Sequence, residues 1–180
     1  LFTGGLPAIA TDMTTVYRTT WEGMAERSER FWSRFPGDRD RMRALVERAE
    51  IGRLILADGQ RVGVERLRRI GMTLGRTQGQ EALHYLLNLD PDSPAFRHDL
   101  AAALPFGGRN PIYSVLHESC WADGCTTQWA AERAMPEAVR EDPTLLAGEH
   151  VHQELFTEDP ELAPFAAVSY THLTLPTKRI

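Results

Sequence analysis

Glu118 and Trp121 have the types and spacing that carry the most specific chemistry in this 180-residue chain. In the run Leu116-His117-Glu118-Ser119-Cys120-Trp121-Ala122, a helical path puts the Glu118 carboxylate on one face with the Trp121 indole at i+3 and Ala122 at i+4. Tyr113, Leu116 and Cys120 then fall on a neighbouring face, against the core. A carboxylate beside an aromatic wall suits a cationic amine attached to a small apolar ring. Burying that carboxylate alone is costly, so the site calls for a cation. A ligand can supply it, or the chain itself through Arg109 or Arg133, in which case Glu118 belongs to an internal ion pair.

Glu149-His150-Val151-His152 is the densest group of potential metal ligands. His150 and His152 share a face only if the stretch is extended, and no third ligand lies near in sequence. A hydrogen-bonded histidine pair is therefore expected in preference to a metal centre. No G-x-S-x-G elbow, P-loop, G-x-G-x-x-G or H-E-x-x-H is present. Cys120 and Cys125 stand five apart, which is neither C-x-x-C nor half of a zinc site, and free thiols are expected over a short-loop disulfide. Trp32, Trp129 and Phe31 read as core residues and Glu22 as an exposed helix residue.

Helices must position these groups. Tyr17, Trp21, Met24, Ser28, Phe31, Trp32 and Phe35 form a stripe of 3.6-residue period, with Asp12 or Thr14 as cap and Pro36 as the stop. A second helix has Asp38 as candidate cap, turns Met42, Leu45, Val46 and Ala49 inward, and closes at Gly52. Leu54-Ile55-Leu56, Asp58-Gly59 and Arg61-Val62 predict a small hairpin near 53–63. Helical periodicity resumes through Val64, Leu67, Ile70, Gly71 and Leu74, then through Ala82, Leu83, Leu86 and Leu87. A further helix holds Phe96, Leu100, Ala103 and Leu104, with Pro94 in its first turn. Asn110-Pro111 opens a helix running to Trp121 and ending at Gly124, and Thr126 or Thr127 starts another that stops at Pro136. Leu145 to Phe156 is a last apolar stretch. Seven or eight helices without a βαβ rhythm predict a mainly α, irregular array and not a straight bundle.

Bulk composition excludes several function classes. The hydrophobic content of 42% and charged content of 25% are those of an ordinary globular domain. A net charge of −5 argues against nucleic-acid or anionic-membrane partners. Arginine alternates with acid, as in Glu26-Arg27-Ser28-Glu29-Arg30, which describes a solvated helix face. No apolar run approaches the ~20 residues needed to span a bilayer.

Several stretches, taken in order, resemble the cap region of prolyl aminopeptidases (proline iminopeptidases), serine peptidases of the α/β-hydrolase superfamily. They are Thr3-Gly4-Gly5-Leu6-Pro7, Val16-Tyr17-Arg18 with the long helix to Phe35-Pro36, Arg69 to Gly75 and His84-Tyr85-Leu86-Leu87. Asn110 to Glu118, Trp129-Ala130-Ala131-Glu132-Arg133 and Gly148-Glu149-His150-Val151-His152 complete the set. The likeness covers about residues 1 to 167.

That resemblance implies an irregular helical lid over an α/β-hydrolase whose catalytic sheet is largely missing from these residues. Residues 1–10 would be the end of a core strand and its turn, and 11–167 the cap. The triad Ser-Asp-His would lie outside the chain, which alone would be inactive. The implied activity is hydrolysis of N-terminal proline from peptides in the cytoplasm, with no metal or organic cofactor. In such a cap, glutamates hold the free amino end of the substrate. Glu118 matches best and Glu149 second, with Trp121 as the aromatic wall. Glu22, in Trp21-Glu22-Gly23, falls too early for that role. Residues 168–180 hold the sole lysine, Lys178, and resemble translated sequencing adapter, so a disordered, artefactual tail is expected. Two rival readings remain: the cap of an esterase or epoxide hydrolase, and a free-standing helical ligand-binding or regulatory domain.

Overall fold

Helix packing on helix is what the apolar stripes require, and the computed structural model is mainly α. It describes residues 12–104, 111–120, 122 and 126–167. The expectations for residues 1–11, the Asn110 cap, Arg109, Trp121, Cys125 and the tail 168–180 lie outside the described residues.

The long helix α1 (Met13–Arg34) starts where Asp12 accepts a hydrogen bond from the Thr15 amide, a cap worth about 1 kcal/mol. Its inward stripe is the predicted one, with Tyr17, Trp21, Met24, Ser28, Phe31 and Trp32 all buried. Pro36 does more than stop α1. It opens α2 (Pro36–Glu50) after a single residue, Phe35. Asp38 is therefore not the cap of α2. It sits buried in the first turn, bound by Arg41 at 2.7 Å and by His84 Nδ1 at 2.7 Å. Met42, Leu45, Val46 and Ala49 point inward as expected, and Gly52 leaves the helix at φ +68°.

The hairpin is reduced to one antiparallel bridge between Ile55 and Arg61, flanked by Leu56 N to Gln60 O (2.8 Å) and Val62 N to Leu54 O (2.9 Å). The next segment divides into α3 (Val64–Arg68) and a 3₁₀ turn, Arg69–Gly75. Then come α4 (Gly79–Leu87) and α5 (Pro94–Ala103), the latter capped by Ser93 with Pro94 in its first turn. Leu83, Leu86, Leu87, Phe96, Leu100 and Leu104 join the core made by the C-terminal half of α1, α2 and the bridge. Ala82, expected inward, is exposed.

The C-terminal part is more broken than its periodicity implied. The helix expected up to Trp121 is α6 (Ile112–Leu116) followed by a 3₁₀ turn, Glu118–Cys120. Its inward face is Ser114, Val115, His117 and Glu118, whereas Leu116 and Cys120 are exposed and Tyr113 is half-buried, so the expected core face is corrected by about one position. The helix expected from Thr126 or Thr127 begins later, as α7 (Ala130–Arg133), because Gln128 and Trp129 both adopt left-handed φ of 48° and 56°. After α8 (Glu137–Glu141) the chain runs irregularly to α9 (Leu155–Glu158) and a closing 3₁₀ turn, Ala163–Phe165. Nine α-helices are thus present among the described residues. None is long and apolar enough to cross a membrane.

Candidate functional site

Three buried arginines, Arg66 and Arg68 in α3 and Arg69 at the start of the 3₁₀ turn, hold the wall around which the site forms. Arg68 donates to the Leu145 and Val139 carbonyls at 2.9–3.0 Å and to Glu65 at 2.8 Å. Arg69 donates to the His150 carbonyl, and Arg66 pairs with Asp159 at 3.1 Å. Burial alone would raise the Glu65 carboxyl, but the His152 hydrogen bond and the Arg68 guanidinium outweigh it and hold it at about 2. The irregular stretch 145–152 is thereby pinned against α3 through its main chain, which is how a segment without regular structure keeps a fixed shape.

On that wall, His150 is stacked on Trp21 and hydrogen-bonded at both nitrogens. The Gly148 amide donates to its Nδ1 at 3.1 Å, so Nε2 carries the proton and meets Thr20 Oγ1 at 2.9 Å. Burial first, and then the nearby Arg69 charge, hold its pKa down at about 3. His150 is thus a neutral, structural histidine. His152 is buried against Glu65, so the two histidines point to different partners, as a hydrogen-bonded pair and not as a ligand pair. No group of three or more metal-ligating side chains occurs among the described residues.

A cavity of about 580 Å³ lies between α1, the 69–75 turn, His117 and the 148–150 stretch. Its long side is one stripe of α1, Val16, Tyr17, Thr20, Gly23, Met24 and Arg27, and its opposite side includes Gly71, Gly75 and Gly148. Gly23 makes it roomy: a Cβ there would meet nothing within 4 Å, whereas one at Gly71 would meet the Ala147 carbonyl oxygen at 2.5 Å.

Glu149 lies at this cavity, exposed, with Tyr113 Oη 3.4 Å from its Oε2. Glu118 is 1% exposed and is not among the residues lining the cavity; its neighbour His117 is. Glu118 Oε1 accepts from the Ala131 amide at 2.9 Å, at the start of α7, and the left-handed turn at Gln128–Trp129 aims that amide at it. Burial raises its pKa, opposed by hydrogen bonds from the Ala131 amide, the Thr127 side chain and the Ala130 amide, while its Oε2 is left without a partner. Arg133, one of the cations considered for it, donates instead to the Thr127 and Gln128 carbonyls. Trp121, the expected aromatic wall, lies outside the described residues. So Glu118 and Glu149 approach one region from two sides, one buried behind the wall and one at its surface.

Tyr17 joins them there and was missed from sequence, because a tyrosine in a helix stripe reads as core. Its hydroxyl is buried without a partner. Its pKa is raised by burial first, then by the negative charge of Glu118 and of Glu149 around it, so it stays a neutral phenol. His117 Nδ1 is likewise buried and unpartnered, with its pKa lowered by burial. The Cys120 thiol is free and exposed. A buried phenol that feels the charge of two carboxylates marks a region where positive charge is favoured.

No protein-family model matches the chain. It is similar to the "Proline iminopeptidase" of Aeromonas sobria, 30% identical over 177 residues, covering 93% of this chain and 41% of that protein. The chain therefore spans about 41% of the length of the relative it matches. A prolyl aminopeptidase-like stretch of chain is what that similarity supports.

Proposed function

We propose that this chain is the helical cap of a proline iminopeptidase, residues 11–167 forming the lid, and that a catalytic domain beyond these residues cleaves the N-terminal proline through a serine acyl-enzyme. The observation that carries this reading is the similarity to the Aeromonas sobria protein along nearly the whole chain. The chemistry of the cavity agrees with it. A peptidase that takes only the first residue must recognise a cationic amine, and the cavity offers one end rich in acceptors and negative charge: Glu149 at its surface, Tyr17 in its lining, and the Glu118 carboxylate behind. Trp121, four residues after His117 and three after Glu118 in the chain, is the proposed apolar wall for the proline ring. Differential recognition follows, because only a substrate carrying positive charge at that end offsets the charge of exposed Glu149 and buried Glu118.

The test is made in the full-length protein that carries this cap. Glu149→Gln and Glu118→Gln should each lower kcat/KM for a proline anilide by about tenfold or more while leaving turnover of an uncharged ester nearly unchanged. An unchanged preference for free-amine proline substrates in both variants removes the assigned roles. Proline release by the 180-residue chain alone would contradict the cap assignment.

A further inference from the structure

The end of the cavity opposite the carboxylates carries a cation. Arg27 lines the cavity, and its Nη1 lies 3.8 Å from where a Cβ on Gly75 would be. Arg34 and Arg39, further along and beyond α1, are bound to Glu81 and to Glu29 and Asp142. No ion pair engages Arg27 among the described residues. Between Tyr17 and Arg27 the floor is Gly23, over which the space is empty. One face of a single helix therefore presents an acceptor-rich end, an open glycine floor and a guanidinium end in that order.

We propose that this cavity holds a short peptide as a zwitterion, with its free C-terminal carboxylate on Arg27 and its amine at the Tyr17–Glu149 end. The amine half rests on the proposed function; the Arg27 half does not. Tyr17 and Arg27 are ten positions apart, about 15 Å along a helix at ~1.5 Å per residue. Both side chains lean back toward the helix N-terminus, so the span between them stays near that value, less a hydrogen-bond length of ~3 Å at each end. An extended peptide rises ~3.3 Å per residue, so the span fits about three residues. Arg27 would then select small peptides with a free terminus over long chains and over amidated ends, since a guanidinium recognises a carboxylate by a charge-assisted fork.

The test is calorimetric titration of the 180-residue chain with Pro-Gly-Gly, its C-terminal amide and its N-acetyl derivative. The free acid should bind roughly three- to tenfold more tightly than the amide, a gap that closes at high salt. In Arg27→Gln, acid and amide should bind alike, at the wild-type amide level. Equal binding of acid and amide by the wild type, or a gap that survives Arg27→Gln, overturns the Arg27 assignment. If acetylation costs nothing while the acid–amide gap stands, the amine reading fails and Arg27 holds. If no peptide binds, both fall. Gly23→Leu puts a side chain into the empty floor of an already helical position, which should keep or raise the urea midpoint and abolish binding; undiminished binding would overturn the placement in this cavity.

Discussion

The indole of Trp21 and the imidazole of His150 stack with ring centroids 3.7 Å apart and 15° between their planes. The same indole donates from Nε1 to the Ala131 carbonyl at 2.8 Å. One side chain of α1 thereby fixes both the 148–150 stretch and α7, the two segments that carry Glu149 and cap Glu118. The face of an indole would favour an imidazolium, yet burial and the Arg69 charge prevail and His150 stays neutral.

Acid should therefore weaken the fold through His150. Its folded pKa of about 3 lies below the unfolded value of ~6.5. As pH drops below ~6.5 the unfolded chain takes up the proton first, so the stability is whole above that pH and is lost progressively toward 3. The slope contributed is at most about 1.4 kcal/mol per pH unit. His117, whose pKa is also depressed by burial, acts in the same sense. Urea unfolding followed by tryptophan fluorescence should give a midpoint that falls from pH 7 to pH 5, and less steeply in His150→Gln. Equal slopes would show that His150 is already charged in the folded protein.

Gly79→Ala should be among the most damaging small substitutions. A Cβ there would lie 1.8 Å from the Thr73 carbonyl oxygen and 2.8 Å from its carbon, and backbone cannot swing aside as a side chain can. Because α4 is packed on the 69–75 turn through this contact, the turn that carries Gly71 and Gly75 must shift. The expected loss is on the order of 3 kcal/mol, read as a lower urea midpoint; a change under about 0.5 kcal/mol would mean the contact is looser than described.

α1, α2 and α5 were legible because each buries a 3.6-period stripe and carries a local signal of its own, Asp12, Pro36, Gly52 or Pro94, whereas the one helix expected over residues 64–74 divides into α3 and a 3₁₀ turn. Past residue 104 the signal fails. Four- and five-residue helices such as α6 and α7 bury too few positions to impose a period, and their ends are set by distant partners, as when Glu118 caps Ala131 or Arg68 grips Leu145. Nothing local marks Gln128 and Trp129 as left-handed. The candidate site was half legible. Glu118 and Glu149 are found by residue type, but that Glu118 is buried behind the wall and that Tyr17 and Arg27 share the cavity are consequences of packing across α1.

Arg68→Lys tests the pin that shapes the cavity wall. The guanidinium serves two carbonyls and a carboxylate at once from a site that is 1% exposed. An ammonium keeps the charge but cannot span the same acceptors, so buried carbonyls at Leu145 and Val139 lose partners. The expected cost is about 2–3 kcal/mol, with faster amide hydrogen exchange confined at first to residues 145–150. Uniform exchange across the chain would mean that Arg68 supports the whole core and not this wall.

Tyr17→Phe separates a core tyrosine from a ligand-facing one. The hydroxyl is buried and unpartnered, so removing it deletes an unsatisfied group without leaving another behind. Stability should hold or rise by up to about 1 kcal/mol. The neutral phenol is held well above working pH by burial and by Glu118 and Glu149, so as an acceptor for an amine it should contribute equally from pH 6 to pH 9. Phenylalanine should therefore weaken Pro-Gly-Gly binding by about fivefold across that range. A variant that loses stability and binds peptide as well as the wild type would place Tyr17 in the core alone and leave the amine to Glu149.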